Sequence, residues 1–216
     1  AHFNGDIRTI FQQRYLSPRP ATCSVRIGDD GYTAWTLYYW GNRPPPIDLR
    51  HVPALREADG RIATPAGARF ELGGDGRNVV FTSRWDNWPT EVTVPVGRAG
   101  KAVWLLVAGS TFPMQTRIAN AVFRFDYADG VSEHLELVPP FNYWMLSSWG
   151  GCDYDLALDA YCFPTGAPPQ VQLGQDCRAM VLSWTLRPDV PLARVTLTAL
   201  SEEVVVGLMG LSLELG

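Results

Sequence analysis

The sequence predicts an all-β fold, an antiparallel sandwich or barrel in one domain, and two observations carry that expectation. Seventeen prolines and 20 glycines interrupt almost every window long enough for a helix. Between them stand short runs rich in Val, Leu, Thr and aromatic residues, which suit a pleated, half-buried surface. The 216 residues, 46% hydrophobic and 19% charged, lie within the range that sandwiches occupy as a single unit and far from the composition of disordered chains. No repeat or linker divides residues 1–216.

Taken in order, the expected strands are Ala34–Trp40, Ala68–Leu72, Val79–Thr82, Glu91–Val96, Ala102–Ala108, Asn120–Tyr127, Val131–Val138, Met180–Leu186, Ala193–Leu200 and Val204–Leu213. The strongest local signal is Ala121–Tyr127, then Ala128-Asp-Gly130, then Val131–Leu137. Asp129-Gly130 is hairpin chemistry, and Phe123, Phe125 and Tyr127 alternate with Val122, Arg124 and Asp126 at the period of two that a strand requires. The partner strand sets Val131, Leu135 and Leu137 against Ser132, His134 and Glu136.

Residues 139–177 break the alternation and read as a long loop insertion dense in aromatic residues, which argues against disorder and for a use. Three of the four cysteines crowd it. Cys23, Cys152, Cys162 and Cys177 lack the paired spacing of a zinc site, and a Cys152 to Cys162 disulfide is expected, because a cross-link there restricts a long loop. The alternative is buried free thiols in a reducing compartment. The disulfide reading places the protein in a secreted or periplasmic setting.

The formal net charge of −4 gives no attraction to nucleic-acid phosphates or to an anionic membrane surface, so neither partner is expected. No apolar run approaches the ~20 residues that span a bilayer. The Ala1-His-Phe-Asn4 start has no charged region followed by an apolar one, as expected of a mature or excised chain. Lys101 is the only lysine, so cations are presented almost entirely as planar guanidinium forks.

Catalysis has no motif to stand on. GxSxG, HExxH, P-loop and GxGxxG patterns are missing from the sequence, and His2, His51 and His134 adjoin no nucleophile in a known arrangement. Glycoside hydrolysis needs only two carboxylates ~5–9.5 Å apart. Asp153 with Asp155, Glu133 with Glu136, Asp126 with Asp129 and Asp86 with Glu91 are candidate pairs, although ordinary surface acids look the same.

Sugar binding asks for rings that stack on pyranose C–H faces and for planar polar groups that take hydroxyls. Eight Trp, eight Tyr and nine Phe supply the rings, and three clusters combine them with polar groups. In Trp35–Trp40, Tyr38 and Trp40 share one face of a strand. In Phe81–Pro89, Trp85, Asp86, Asn87 and Trp88 form a turn between strands. In the long loop, Asn142, Tyr143, Trp144, Trp149, Asp153 and Tyr154 gather beside the expected disulfide. Each has a structural alternative: a covered strand face, a buried corner, or a satellite core under the loop.

The segments Asn78–Pro89, Val94–Val96, Trp104–Gln115, Phe125–Gly130, Asn142–Trp144, Asp159–Phe163, Val171–Gly174, Cys177–Met180 and Val204–Gly210 resemble the galactose-binding-like jelly-roll modules attached to large bacterial proteins implicated in glycan degradation. The resemblance runs from about residue 78 onward. It implies a jelly roll, a carbohydrate-binding-module-like role without catalysis, a polysaccharide or oligosaccharide ligand, and a catalytic domain in the same polypeptide. No cofactor is implied, although such modules often hold structural calcium; no loop here has the acidic spacing of an EF-hand. Two other readings remain: a structural sandwich packed on a catalytic domain, and a small glycan-active hydrolase using paired carboxylates.

Overall fold

The computed structural model describes residues 2–7, 57, 59, 61–72, 77–84, 89–109, 117–144, 166, 168–174, 177–201 and 204–216. Among them eleven strands follow in order: β1 (Ile62–Ala63), β2 (Arg69–Phe70), β3 (Val80–Ser83), β4 (Glu91–Arg98), β5 (Ala102–Gly109), β6 (Ala121–Tyr127), β7 (Ser132–Leu137), β8 (Gln170–Gly174), β9 (Cys177–Thr185), β10 (Leu192–Ala199) and β11 (Val205–Glu214). Every pairing is antiparallel. One sheet has the order β4-β10-β6-β7 and the other β3-β11-β5-β9-β8, with β1 and β2 as a separate ribbon.

The inner faces of the two sheets share one core. Phe123 and Phe125 of β6 and Val195 and Leu197 of β10 meet Leu105 and Val107 of β5 and Val206 and Leu208 of β11. The alternation that marks β6 as half-buried in the sequence is the one that points these rings inward. The expected hairpin is present: Gly130 has φ 86°, Tyr127 N–H donates to the Val131 carbonyl at 2.9 Å, and Val131 N–H donates to Asp129 Oδ1 at 3.2 Å. Val131 itself is 45% exposed, and the inward position three residues before Glu136 belongs to Glu133.

The five-stranded sheet is buried on its outer face too. Ile7, Ile62 and Phe70 cover Leu106, Ala108, Val205 and Met209 in a second core. This is why β5 reads as a continuous apolar run with no polar face. β11 carries a bulge between Leu208 and Gly210, and the strand passes so close to its cover that a Cβ on Gly210 would lie 2.8 Å from Phe70 Cδ1.

Two boundaries differ from the sequence reading. Residues 170–174, expected inside the long loop, form β8, with Val171 and Leu173 buried. β1 is two residues long, too short to produce a periodic signal. The expected strand Ala34–Trp40 lies outside the described residues, as do Cys23, Cys152 and Cys162; Cys177 opens β9.

Candidate functional site

Strand direction decides which connections meet. β3 ends at Ser83 and β4 begins at Glu91; β5 ends at Gly109 and β6 begins at Ala121; β7 ends at Leu137; β10 ends at Ala199 and β11 begins at Val205. Registers place Val205 opposite Ser83, Val206 opposite Gly109, and Ala121 opposite both Leu137 and Ala199, so all these points lie at one end of the sheets. Hydrogen bonds join them. Asn120 N–H donates to the Leu137 carbonyl at 2.8 Å, Leu200 N–H donates to the Asn120 carbonyl at 2.9 Å, and Arg84 Nη1 donates to the Leu200 carbonyl at 3.4 Å.

The chain therefore leaves the sheets at this end toward two of the three aromatic clusters. Trp85, Asp86, Asn87 and Trp88 themselves, and Trp149, Asp153 and Tyr154, lie outside the described residues, as do Tyr38 and Trp40. Three described residues of the long loop sit beside one another with different roles. Asn142 staples the loop to β7: Val138 N–H donates to its Oδ1 at 2.8 Å, and its Nδ2 donates to the Glu136 carbonyl at 2.8 Å. Trp144 is half-buried against the main core. Tyr143 corrects the sequence reading, because it is fully buried and its ring fills the core beneath the loop, where no ligand from solvent reaches it. Around them Ile118, Phe141 and Leu200 are 52%, 42% and 40% exposed.

The candidate carboxylate pairs separate. Glu136 and Glu133 differ by an odd number of positions on β7 and so face opposite sides of the sheet. Asp126 is held by Arg194 Nε at 2.7 Å, Arg124 Nε at 3.0 Å and Ser132 Oγ at 2.6 Å. Burial alone would raise its carboxyl, but Arg194, Ser132 and Arg124 outweigh it and hold the group below the ordinary carboxylate range. Asp129 pairs with Arg187 Nη1 at 2.7 Å. Asp86, Asp153 and Asp155 lie outside the described residues. His134 stands exposed on the polar face of β7, as the alternation predicts.

The opposite end of the sheets is closed by a polar plug. Glu133 Oε2 accepts from the Tyr127 hydroxyl at 2.8 Å and from Trp184 Nε1 at 2.9 Å, while the Trp184 ring stacks on Phe125 with centroids 5.6 Å apart. Burial, with the bond to Glu133, pushes the Tyr127 phenol up to about 12. The Arg187 guanidinium lies 5.2 Å from the centre of the Tyr127 ring.

A cleft of about 720 Å³ opens on the outer side of the five-stranded sheet. It exists because β3 pairs with β11 only from Val205 to Leu208, so that below Gly210 the flank of β11 is bounded by the β1–β2 ribbon and by Pro95–Arg98 of β4. Trp104 lines it, with Nε1 donating to Glu214 Oε2 at 3.3 Å. Sequence reasoning assigned Trp104 no site role, since β5 shows no polar face to mark which side a ring would take.

Among the described residues no group of three or more His, Cys, Asp or Glu side chains is arranged to hold a metal ion. No helix among them is long and apolar enough to cross a membrane. Comparison with protein families, curated proteins and solved structures gave no match.

Proposed function

We propose that this chain is a non-catalytic carbohydrate-binding domain of the jelly-roll kind, which holds a plant or microbial polysaccharide at the loop end of its sheets and targets an attached glycoside hydrolase. The observation that supports this reading is that the 84–90 connection and the start of the 138–169 connection lie at one end of the fold. Those connections carry four of the chain's eight tryptophans, Trp85 and Trp88 in the first and Trp144 and Trp149 in the second. Repeated crossing between sheets, at β3 to β4, β4 to β5, β5 to β6, β7 to β8, β9 to β10 and β10 to β11, is the winding that a jelly roll uses. A Cys152 to Cys162 disulfide would pre-organise the second connection and lower the ordering cost of binding, in keeping with a secreted or periplasmic protein.

Affinity electrophoresis of the chain against xylan, mixed-linkage glucan, pectin and galactan tests the proposal. Retardation by one class, weakened in Trp88→Ala and Trp144→Ala, is expected. Uniform migration overturns it and moves weight to the second reading, a structural module whose exposed Ile118, Phe141 and Leu200 belong to an interface with a catalytic domain.

A further inference from the structure

We infer that the Trp104 cleft is a second, separate saccharide site, built for a neutral sugar. Its position differs from that of the loop end: Trp104 pairs in register with Ser212, and the cleft reaches Glu214 and Arg98, where β11 and β4 finish. Its size falls within the ~300–1,000 Å³ of small-ligand sites. Its lining is mixed in the way a pyranose requires, with an indole for a C–H face and planar forks and carboxylates for hydroxyls that both donate and accept.

Charge selects the ligand class. Arg69 Nε is taken by Glu57 at 2.9 Å, and Arg61 Nη1 lies 3.8 Å from Asp59, so two of the three arginines at the rim already have a carboxylate beside them. What remains in the lining is one cation, Arg98, with two carboxylates, Glu71 and Glu214. Among the described residues no ion pair occupies the Arg98 guanidinium or the Glu71 carboxylate, and both side chains are exposed. A uronate or sulfated sugar would meet more negative than positive charge. A neutral sugar meets one donor fork and two acceptors. Glu214 is further fixed by the Trp104 N–H, which holds indole and carboxylate in one arrangement before any ligand arrives.

The test is calorimetry on the full chain with cellohexaose, xylohexaose, mannohexaose and galactohexaose, and with hexagalacturonate as the acidic probe. Trp104 also packs against the outer core, so the rim variant Arg98→Ala/Glu71→Gln reads the site without touching buried residues. The expected result is binding of at least one neutral hexasaccharide in two components, one that weakens about tenfold or more in the rim variant, as loss of hydrogen bonds to charged groups predicts, and persists in Trp144→Ala, and one that weakens in Trp144→Ala and persists in the rim variant. Preference for hexagalacturonate, or neutral binding unchanged in the rim variant but lost in Trp144→Ala, overturns the cleft and leaves the loop-end proposal standing. Binding lost in the rim variant alone supports the cleft and counts against the loop end. No heat with any of the five probes overturns both.

Discussion

The Tyr143 hydroxyl occupies the space that a side chain on Gly109 would fill. The long loop is thus seated on the end of β5 by a ring that needs a glycine beneath it. Gly109→Ala forces ring and strand apart in a filled core, and destabilisation of about 1–3 kcal/mol is expected, read by urea or thermal unfolding. The same variant should weaken polysaccharide retardation, because Asn142 and Trp144 flank the displaced ring. Unchanged stability would show that the loop is seated by other contacts.

Tyr127 predicts an alkaline limit. Its folded value near 12 lies above the ordinary 10, so the neutral phenol is favoured in the folded state. Its contribution is complete below about pH 10 and is lost as pH rises toward about 12. Glu133→Gln removes the anionic acceptor of both the phenol and Trp184 Nε1. Spectrophotometric titration should then show this tyrosine ionising at lower pH, with a stability loss on the order of 1–2 kcal/mol.

Asp126 sets the acid side. Its carboxyl is held below the ordinary value, so the folded state binds the proton more weakly than the unfolded chain. The stabilisation is present above the unfolded value of about 4 and declines as pH falls through the lower folded value. Asp126→Asn should flatten the fall in unfolding free energy between about pH 5 and pH 2, measured against the parent chain. It should also loosen Arg194 and Arg124, both partly exposed, at a modest cost.

Gly210 tests the cover on the outer face. A methyl there meets Phe70 Cδ1 at 2.8 Å and Phe70 Cβ at 3.2 Å, and Phe70 is 1% exposed. Gly210→Ala is expected to cost about 1–3 kcal/mol, while Gly130→Ala should cost through φ 86° alone, since nothing lies within 4 Å of its Cβ position. Comparing the two melts separates steric from backbone strain.

Much of the fold was legible because its strands alternate. β6 and β7 announce themselves through Phe123, Phe125 and Leu135 against Arg124 and His134, and the Asp129-Gly130 turn fixes their pairing. β1 and β8 did not, being two and five residues long among glycines and prolines. Site residues were less legible. Tyr143 and Trp144 are adjacent aromatic residues with one composition signal, yet one is core and the other half-buried, a difference set by the approach to Gly109. Trp104 was hidden for the opposite reason: in an apolar strand covered on both faces, nothing in the sequence distinguishes a ring at the margin of the cover from one beneath it.

The central place of β11 between β3 and β5 has a consequence for how the chain matures. Until residues 205–214 are in place, β3 and β5 lack the strand that joins them, and both present unpaired backbone together with apolar side chains from two cores. Assembly of the five-stranded sheet therefore waits on a strand made more than 90 residues after β5 ends at Gly109. A nascent chain of this design remains adhesive for most of its synthesis, and chaperone binding to fragments that stop before residue 205 is the form in which that delay would be seen.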